Sequence, residues 1–460
     1  MSIPFSQAKL KVEERRAILQ VIETQMQQVI IDGVTQVLQE FLEQEVTTKL
    51  GRPKRSPRWV SSQTRPIDWQ CAYCGCTDAN QFTRDGHYRR SLETGWGHLD
   101  VVRVPMLECQ RCEHDVVAQF AILQKYQRFW LDAPHRAIFG SGLSRSLRQL
   151  SQEWAATVGA SVGLRTINER INQLEAKLAQ VHREPIEEVP AVVQFDGIWL
   201  SLQTQQDGVH EDSRKRQRHR KSGKRIVVLV ALGLWTDGSG KRQILDWEVA
   251  DKEEQATWER LVHRLWERGV KLETGLQAIV RDGSEGLEQA LDYVYGSTLV
   301  QQRCIFHTLR TVSEKSVGLD REGKKSLLEQ AAAVYQATSA LEARARLVAF
   351  GEQWRPTQSQ AVATFEREFE QTIRYYSLDG MVREVVRTTS RLERTNRELR
   401  RKFRQVGCFS SPKGAEVAVY IQVTRLNAQW TKTSWWEASH SLALDLLNSN
   451  PERKIRYPHW

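Results

Sequence analysis

Apolar positions recur at helical intervals through the first fifty residues of the chain. The stripe is broken only at Gly33 and predicts a long N-terminal helix. A stripe of this length without a core of its own requires a partner, which is either a second subunit or the rest of the same chain. Its members are Ile18, Leu19, Ile22, Met26, Val29, Ile30, Val37, Leu38 and Leu42.

After Pro190 the pattern changes to alternating strands and helices. Three strand-like runs at 191–202, 225–235 and 243–249 precede a helix at 257–268, a strand at 276–280, a helix at 286–295 and a strand at 298–305. This order predicts an α/β, ribonuclease H-like domain with a mixed sheet. In such a sheet the first and fourth strands are neighbours.

Helical patterns fill most of the remaining chain. Residues 308 to about 380 predict an all-helical insertion, and 388–404 predict a final helix whose apolar positions are Leu392, Leu399 and Phe403. Around Val158-Gly159, two short amphipathic segments have the pattern of a helix-turn-helix, although any helical hairpin is similar. Arg165 and Arg170 lie on the second segment and are candidate DNA contacts.

The charge balance narrows the class of partner. Lysine and arginine total 66 against 56 aspartates and glutamates, which gives a net charge of +10 and a pI near 9.3. A basic chain of this kind favours a polyanion, and nucleic acid is the first candidate. No apolar run approaches the ~20 residues of a membrane span, and the N-terminus lacks a secretory apolar region. The expected location is the cytoplasm, in association with the nucleoid.

Two Cys-x2-Cys pairs bracket a segment rich in strand formers and turns. Four thiolates in two such pairs suit tetrahedral, structural zinc, because a segment this small cannot build a full core. The pairs are further apart than usual, so Cys76, His87 and His114 are alternative ligands, and unmetallated cysteines are the competing interpretation. The four predicted ligands are Cys71, Cys74, Cys109 and Cys112.

Three carboxylates are candidates for a catalytic cation site. Asp196 lies within the first predicted strand, where a charge is costly unless it is paired or binds metal. Asp282 follows the fourth strand directly, although an Asp-Gly pair taken singly more often caps a turn. Glu393, on the final helix, is placed to reach the same point. Carboxylates gathered in this way favour hard divalent cations and phosphodiester chemistry.

Basic residues cluster near this predicted site. The segment His210–Arg225 is predicted to be a hairpin loop that grips phosphates, and its alternative is a solvated loop without a specific role. The candidate DNA contacts in that loop are Arg214, Lys215, Arg216, Arg218, Arg220 and Lys221, and those beside Glu393 are Arg394, Arg397 and Arg400.

Cys304 and His307 follow the fifth predicted strand. Two residues are too few for a zinc site, so a packed cysteine with a hydrogen-bonded histidine is one interpretation. The other interpretation, that His307 contacts the scissile phosphate or orients a carboxylate, is implied only by the family resemblance described next.

These motifs together resemble a DDE transposase of the Mutator-type bacterial insertion-sequence group, over roughly residues 145–425. The resemblance rests on Phe195-Asp196-Gly197, Arg281-Asp282-Gly283, the Cys304-x2-His307 motif and Glu393-Arg-Thr-Asn396. It implies that Asp196, Asp282 and Glu393 form the catalytic triad with magnesium or manganese, and that DNA ends are the substrate. Cys304, His307 and Asn396 are then accessory active-site residues. The cysteine pairs and the basic loop depart from the commonest members.

The resulting hypothesis is a transposase that binds terminal repeats in double-stranded DNA, hydrolyses strand ends and joins 3′ hydroxyls to target DNA. Cleavage at two ends implies a homodimer. The alternatives are a non-catalytic zinc-containing DNA-binding protein and a nuclease on the same fold that cuts without joining. The predicted segments are a helical N-terminal region and basic linker at 1–65, a zinc-ribbon-like segment at 66–120, a helix-turn-helix DNA-binding segment at 121–185, a ribonuclease H-like catalytic domain at 190–310 and 382–425, an all-helical insertion at 311–381 and a C-terminal region at 426–460.

Overall fold

The computed structural model describes most of the chain as two compact units. One unit comprises residues 1–138 and 147–170, and the other comprises 139–146 and 171–460. In the part of the chain described, no helix is long and apolar enough to cross a membrane. The described residues are 12–55, 64–120, 122–123, 128, 132–158, 162–211, 217–406, 409 and 411–448.

The first unit packs a long helix against a small antiparallel sheet. Helix α1 spans Val12–Leu50, and strands β1 (Phe82–Thr94), β2 (Gly97–Cys109) and β3 (His114–Val117) follow in the sheet order β1-β2-β3. Side chains from the C-terminal half of α1 form one core with the sheet. The helices that follow are α2 (Asp132–Gly142), α3 (Leu147–Val158) and α4 (Leu164–Asn172). The segment predicted as 121–185 is thus divided between the two units.

The apolar residues predicted to form a single stripe on α1 lie on two different faces of the helix. Leu38 and Leu42 are fully buried against the sheet of the same unit. The N-terminal half of the helix instead presents exposed apolar side chains on a different face, spaced by three and four residues. This exposed stripe consists of Leu19, Ile22, Met26 and Val29, which are between 44% and 71% exposed. Among the residues that the structure describes, packing against the sheet therefore accounts for Leu38 and Leu42 but not for the exposed stripe.

The second unit is built on a five-stranded mixed sheet. Its order is β6-β5-β4-β7-β8, in which β4, β5 and β6 pair antiparallel and β7 and β8 pair parallel with their neighbours. The prediction that the first and fourth strands of this domain are adjacent is confirmed. The strands are β4 (Val192–Glu211), β5 (Gln217–Leu234), β6 (Arg242–Ala250), β7 (Ala278–Arg281) and β8 (Val300–Arg303).

Helices cover this sheet and fill the predicted helical stretch after it. The segment α10 consists of two helices that meet at Gln358, where the backbone leaves helical geometry, and the two fold back on each other, since Arg344 Nε lies 2.8 Å from Glu370 Oε1. The helices of the unit are α5 (Glu175–Val181), α6 (Gln255–Glu267), α7 (Glu285–Tyr295), α8 (Ile305–Lys315), α9 (Arg321–Val334), α10 (Ala340–Thr372), α11 (Gly380–Val386), α12 (Ser390–Val406), α13 (Pro412–Trp430) and α14 (Trp435–Asn448).

The segment predicted as a basic hairpin loop at 210–225 is mostly strand. β4 continues to Glu211 and β5 begins at Gln217, and the two remain paired well beyond the sheet. Because an antiparallel ladder can extend as a two-stranded ribbon, the polar sequence did not end the strands. Both strands lie inside the sheet and not at its edge.

Candidate active site

Asp196 and Asp282 are brought together by the parallel pairing of β4 with β7. The register places Gln194 opposite Val280, and each aspartate follows two residues later. Asp282 Oδ1 accepts a hydrogen bond from the backbone N–H of Ser284 at 2.9 Å. Asp196 Oδ1 accepts one from its neighbour Gly197 at 2.8 Å. Both carboxylates are therefore oriented by the local backbone.

Gly283, after the second aspartate, is required for packing. A Cβ atom there would lie 2.4 Å from the guanidinium of Arg303. Arg303 is held in place by Glu368, whose Oε2 lies 2.9 Å from its Nη2. The backbone at Gly283 does not adopt the left-handed conformation.

Helix α12 carries Glu393, and hydrogen bonds of two side chains, Gln194 and Asn396, hold this helix against β4. Gln194, fully buried, donates to the carbonyl of Thr388 at 2.9 Å and accepts from the N–H of Leu392 at 3.2 Å. One turn beyond Glu393, Asn396 Nδ2 donates to Asp196 Oδ2 at 2.6 Å. Sequence reasoning missed Gln194, since nothing separates it from other polar residues in a strand.

Burial makes ionisation of Asp196 unfavourable. Burial raises its pKa, hydrogen bonds from Asn396 and Gly197 oppose that effect, and the negative charge of Asp282 adds to it. Asn396 is fully buried, and in the described chain its Oδ1 has no hydrogen-bond partner. Carboxylate oxygens under mutual repulsion, beside an unsatisfied amide oxygen, form a donor set that suits a hard divalent cation.

Cys304 and His307 lie against the same helix. The Thr389 hydroxyl lies 3.2 Å from Cys304 Sγ and 3.0 Å from Glu393 Oε1, and it links the two. His307 Nε2 lies 3.9 Å from Glu393 Oε1. Hydrogen bonding to Cys304, followed by the negative charges of Asp282 and Asp196, raises the pKa of His307 to about 9. Burial opposes ionisation of Cys304, but hydrogen bonds from His307 and Thr389 lower the pKa of its thiol overall.

A cavity of about 570 Å³ opens beside these side chains. Asp196 and Glu393 lie on its wall with five arginines, so carboxylates and guanidinium groups line the same cavity. Four of the arginines follow Glu393 on one face of α12 at helical spacing. The lining residues are Asp196, Phe306, His307, Arg310, Glu393, Arg397, Arg400, Arg401 and Arg404.

The predicted DNA contacts are distributed more widely. Arg397 and Arg400 line the cavity, whereas Arg394 lies on another face of α12, where its charge acts on Arg242. Arg165 pairs with Glu169 on its own helix at 2.7 Å, and Arg170 is half-buried. Arg214, Lys215 and Arg216 lie outside the described residues. Arg218, Arg220 and Lys221 belong to β5.

Sequence reasoning also missed Glu253, which precedes α6. Its Oε2 lies 3.3 Å from where a Cβ on Gly197 would be. Burial, then the charges of Asp282 and Asp196, raises its pKa.

Four residues of the cavity wall were also missed from the sequence: Phe306, Arg310, Arg401 and Arg404. Only Arg401 and Arg404 could have been found, because they continue the basic helix that carries Glu393.

In the other unit, four cysteines form a compact cluster. Their ligand atoms all lie within 4.8 Å of one another. Cys71 Sγ lies 3.7 Å from Cys112 Sγ, and Cys74 Sγ lies 3.6 Å from Cys109 Sγ. A tetrahedron with metal–sulfur bonds of about 2.3 Å has sulfur–sulfur edges of about 3.8 Å. The four thiols therefore match the geometry of a closed zinc site.

Both cysteine pairs use the same backbone turn. The N–H of Gly75 donates to the carbonyl of Cys71, and that of Glu113 donates to the carbonyl of Cys109, with a left-handed residue at Gly75 and at Glu113. Burial opposes ionisation of Cys71, but N–H groups of Cys74 and Tyr73 lower the pKa of its thiol to about 7.

The alternative ligands lie elsewhere. His87 Nε2 is 2.6 Å from Glu43 Oε1, and His114 Nδ1 is 2.6 Å from the carbonyl of Cys112. Cys76 is buried in the core of the first unit, outside the cluster.

Comparisons with known proteins identify relatives of the chain. The sequence profile of the family described as Transposase, Mutator family, matches residues 67–433. A transposase for insertion sequence element ISRM5 from Rhizobium meliloti (strain 1021) is 26% identical over 424 residues, which cover 91% of this chain and 92% of that protein. A transposase for insertion sequence element IS256 in transposon Tn4001 from Staphylococcus aureus is 24% identical over 365 residues, which cover 78% of this chain and 84% of that protein.

Among solved structures, a chain of the Drosophila P element transposase strand transfer complex matches 71% of this chain and 94% of its own length. The match has a TM-score of 0.27 and 13% identity, a level at which no common fold is established.

Proposed function

The chain belongs to the Mutator family of transposases, and we propose that it binds the terminal repeats of an insertion sequence, cleaves strand ends by metal-dependent hydrolysis and joins the 3′ hydroxyls to target DNA. Two observations support this proposal: the pairing of β4 with β7 sets Asp196 beside Asp282, and Asp196 and Glu393 line the same arginine-rich cavity. Without a bound cation, repulsion between these negatively charged carboxylates would only destabilise the folded protein.

Asp196, Asp282 and Glu393 would hold magnesium or manganese. When bound, such cations activate the attacking water or 3′ hydroxyl and stabilise the leaving oxygen. Asn396 fixes the orientation of Asp196 through its 2.6 Å hydrogen bond. His307 and Thr389, which both approach Oε1 of Glu393, orient that carboxylate. Arg397 and Arg400 contact the DNA backbone along the cavity.

We assign the second unit to the ribonuclease H-like fold. The sheet order β6-β5-β4-β7-β8, with three antiparallel strands followed by two parallel ones, supports this assignment. The four-cysteine cluster is proposed to hold structural zinc, since four thiolates leave no open coordination position. Helices α3 and α4 are proposed as a helix-turn-helix that binds the ends in double-stranded DNA.

Action on two ends requires two copies of the chain, and the exposed stripe of α1 is the proposed contact between them. Its alternation of three- and four-residue intervals suits pairing with an identical helix. Replacing Leu19 and Met26 with glutamate should reduce the mass measured by light scattering to that of a monomer. Gln20 and Gln27, on the opposite face of α1, provide the matched double substitution, which should leave the mass unchanged.

An end-joining assay tests the function. Purified protein is incubated in magnesium with a labelled duplex carrying the element's terminal repeat and with a plasmid. Joined products that disappear in Glu393→Gln support transposition. Cleavage without joining would instead indicate a nuclease on this fold. Binding without any product from the wild type would leave the non-catalytic DNA-binding alternative.

A further inference from the structure

Cys304 and His307 lie at the start of α8, directly after β8. Cys304 is the residue before the helix and His307 is its third residue, a spacing that places both side chains on one side of the helix. Helix α12 brings Glu393 to the same place, and one ligand atom from each of the three residues lies within 4.8 Å of the other two. Two residues are too few for a zinc site, and the fold supplies a third ligand.

The spacing of these three residues suits a single bound ion after a small adjustment. His307 Nε2 lies 3.9 Å from Glu393 Oε1, which is too far for a hydrogen bond. In a tetrahedral zinc site, nitrogen and oxygen ligands lie roughly 3.3 Å apart, so a small approach would let both contact one ion. The Thr389 hydroxyl, 3.2 Å from Cys304 Sγ and 3.0 Å from Glu393 Oε1, bridges the sulfur and the carboxylate.

The donor atoms of this group differ in kind from those of the aspartates. A thiolate and an imidazole favour zinc, whereas Asp196 and Asp282 offer only the oxygen ligands that magnesium prefers. Cys304 is fully buried, but His307 and Glu393 line the cavity, so a fourth coordination position would open towards it. Three protein ligands with one open position contrast with the closed arrangement of the four-cysteine cluster.

We propose that Cys304, His307 and Glu393 form a zinc site separate from the four-cysteine cluster, and that zinc bound there keeps Glu393 from binding the catalytic cation and so inhibits strand cleavage. Glu393 is the residue that the two sets of donors share. Zinc binds the thiolate and the neutral imidazole, so its binding displaces the proton of His307. The inhibitory part of the inference rests on the proposed metal-dependent function, whereas the zinc-binding part does not.

Zinc binding is measured first, by calorimetry on the full-length protein without DNA or magnesium. The wild type should bind one zinc per chain more than Cys304→Ser. His307→Gln should weaken the binding of that zinc by at least the roughly 10–100-fold that the loss of an outer-shell partner causes. His263→Gln is the matched control and should bind as the wild type does. His263 Nδ1 also lies beside a glutamate, 3.6 Å from Glu267 Oε1, but this pair belongs to no group of three ligands in the described chain.

Cobalt absorption identifies the sulfur ligand directly. Co²⁺ is added to protein whose four-cysteine cluster already holds zinc, which cobalt does not readily displace because zinc binds such sites more tightly. A thiolate-to-cobalt charge-transfer band should appear in the wild type and in His263→Gln, and it should be absent from Cys304→Ser. Circular dichroism checks that each variant is folded, and Cys304→Ala replaces Cys304→Ser if the buried hydroxyl is not tolerated.

Strand cleavage in magnesium is then measured at buffered concentrations of free zinc. Each protein is compared with its own rate without added zinc, because Cys304 and His307 lie in the active site. Zinc should inhibit the wild type and His263→Gln at the same concentration. Inhibition of Cys304→Ser should require about tenfold more zinc or a higher excess.

The binding and inhibitory parts of the inference fail separately. If the wild type binds no more zinc than Cys304→Ser, the site does not exist and the inference is overturned. If zinc binds through Cys304 but inhibits the wild type and Cys304→Ser equally, the inhibitory role is wrong. If no protein cleaves DNA in magnesium, the proposed function fails, whereas the zinc stoichiometry still decides whether Cys304, His307 and Glu393 bind zinc.

Discussion

The cysteine cluster and the carboxylate site gather their side chains in opposite ways. All four cysteines belong to one small unit. Cys71 and Cys112, whose sulfur atoms are in contact, are only 41 positions apart in the sequence. Both Cys-x2-Cys pairs are shaped by the same local turn. The carboxylate site depends on contacts between distant segments, as in the hydrogen bond between Asn396 and Asp196, 200 positions apart.

The two sites also differ in what surrounds them. Cys71 and Cys109 are buried, and four sulfur ligands complete a tetrahedron without a place for substrate. Asp196 and Glu393 lie on the wall of a cavity lined by arginines. A closed set of soft ligands suits a role in folding, whereas an open set of oxygen ligands beside positive charge suits a reaction on DNA. Substitutions at the two sites should therefore separate stability from catalysis.

The largest effect is expected from Cys109→Ser. Removing one thiolate should abolish zinc binding, which contributes roughly 10 kcal/mol in small zinc domains. Residues 64–120 should then become sensitive to protease, while the second unit keeps its hydrogen-exchange protection. Zinc content is measured by release to a chromogenic chelator. Cys76→Ala is the control, since Cys76 lies outside the cluster. Full zinc content in Cys109→Ser would contradict the assignment.

Asp282→Asn should have the next largest effect, on rate rather than on folding. Loss of a cation ligand is expected to slow strand cleavage on the order of 10³-fold, equivalent to about 4 kcal/mol. The Tm without divalent ions should not fall, because repulsion from Asp196 is relieved. Glu285→Gln, an exposed carboxylate in the first turn of α7, should cleave at the wild-type rate. If Asp282→Asn lowered the Tm as much as Cys109→Ser does, the carboxylate site would be needed for stability as well, and the proposed difference between the two sites would be wrong.

Asn396→Ala should reduce cleavage by about 10–100-fold, the range expected for a residue that orients a metal ligand. Asp196 would keep its hydrogen bond from Gly197 but lose the one from α12. The measurement is the single-turnover rate at saturating DNA, with DNA affinity determined in parallel. If affinity falls and the rate does not, Asn396 acts in binding rather than in orienting Asp196.

The smallest effect is expected from single arginine substitutions along the cavity. Arg397→Gln and Arg400→Gln should each reduce the slope of log affinity against log salt by about 0.9, the value for one lost phosphate contact. Arg394→Gln is the matched control, because Arg394 lies on another face of the same helix and should change the slope less. An equal change in slope for Arg394→Gln would show that the cavity face has no special role in binding DNA.

The sequence was most informative where chemistry is encoded locally. The cysteine pairs, the strand order of the second unit and the apolar positions Leu392, Leu399 and Phe403 of α12 could all be read from spacing. It was least informative where a side chain acts across the fold. Gln194 and Glu253 look like ordinary polar residues of a strand and a loop, and only the packing of α12 and α6 on β4 gives them neighbours. The strands at 210–225 were missed because their polar composition resembles a loop.

By itself the sequence determined the residue types, their motifs and the order of elements, since hydrophobic periodicity and ligand spacing are local properties of the chain. The tertiary structure decided which of these residues meet. Parallel pairing of β4 with β7 fixes the register of the two aspartates, and Gln194 and Asn396 set α12 against them. The absence of a Cβ at Gly197 leaves room for the Glu253 carboxylate on the side of β4 that faces α6. Such close approaches depend on the shape of the packed fold, and no local pattern encodes them.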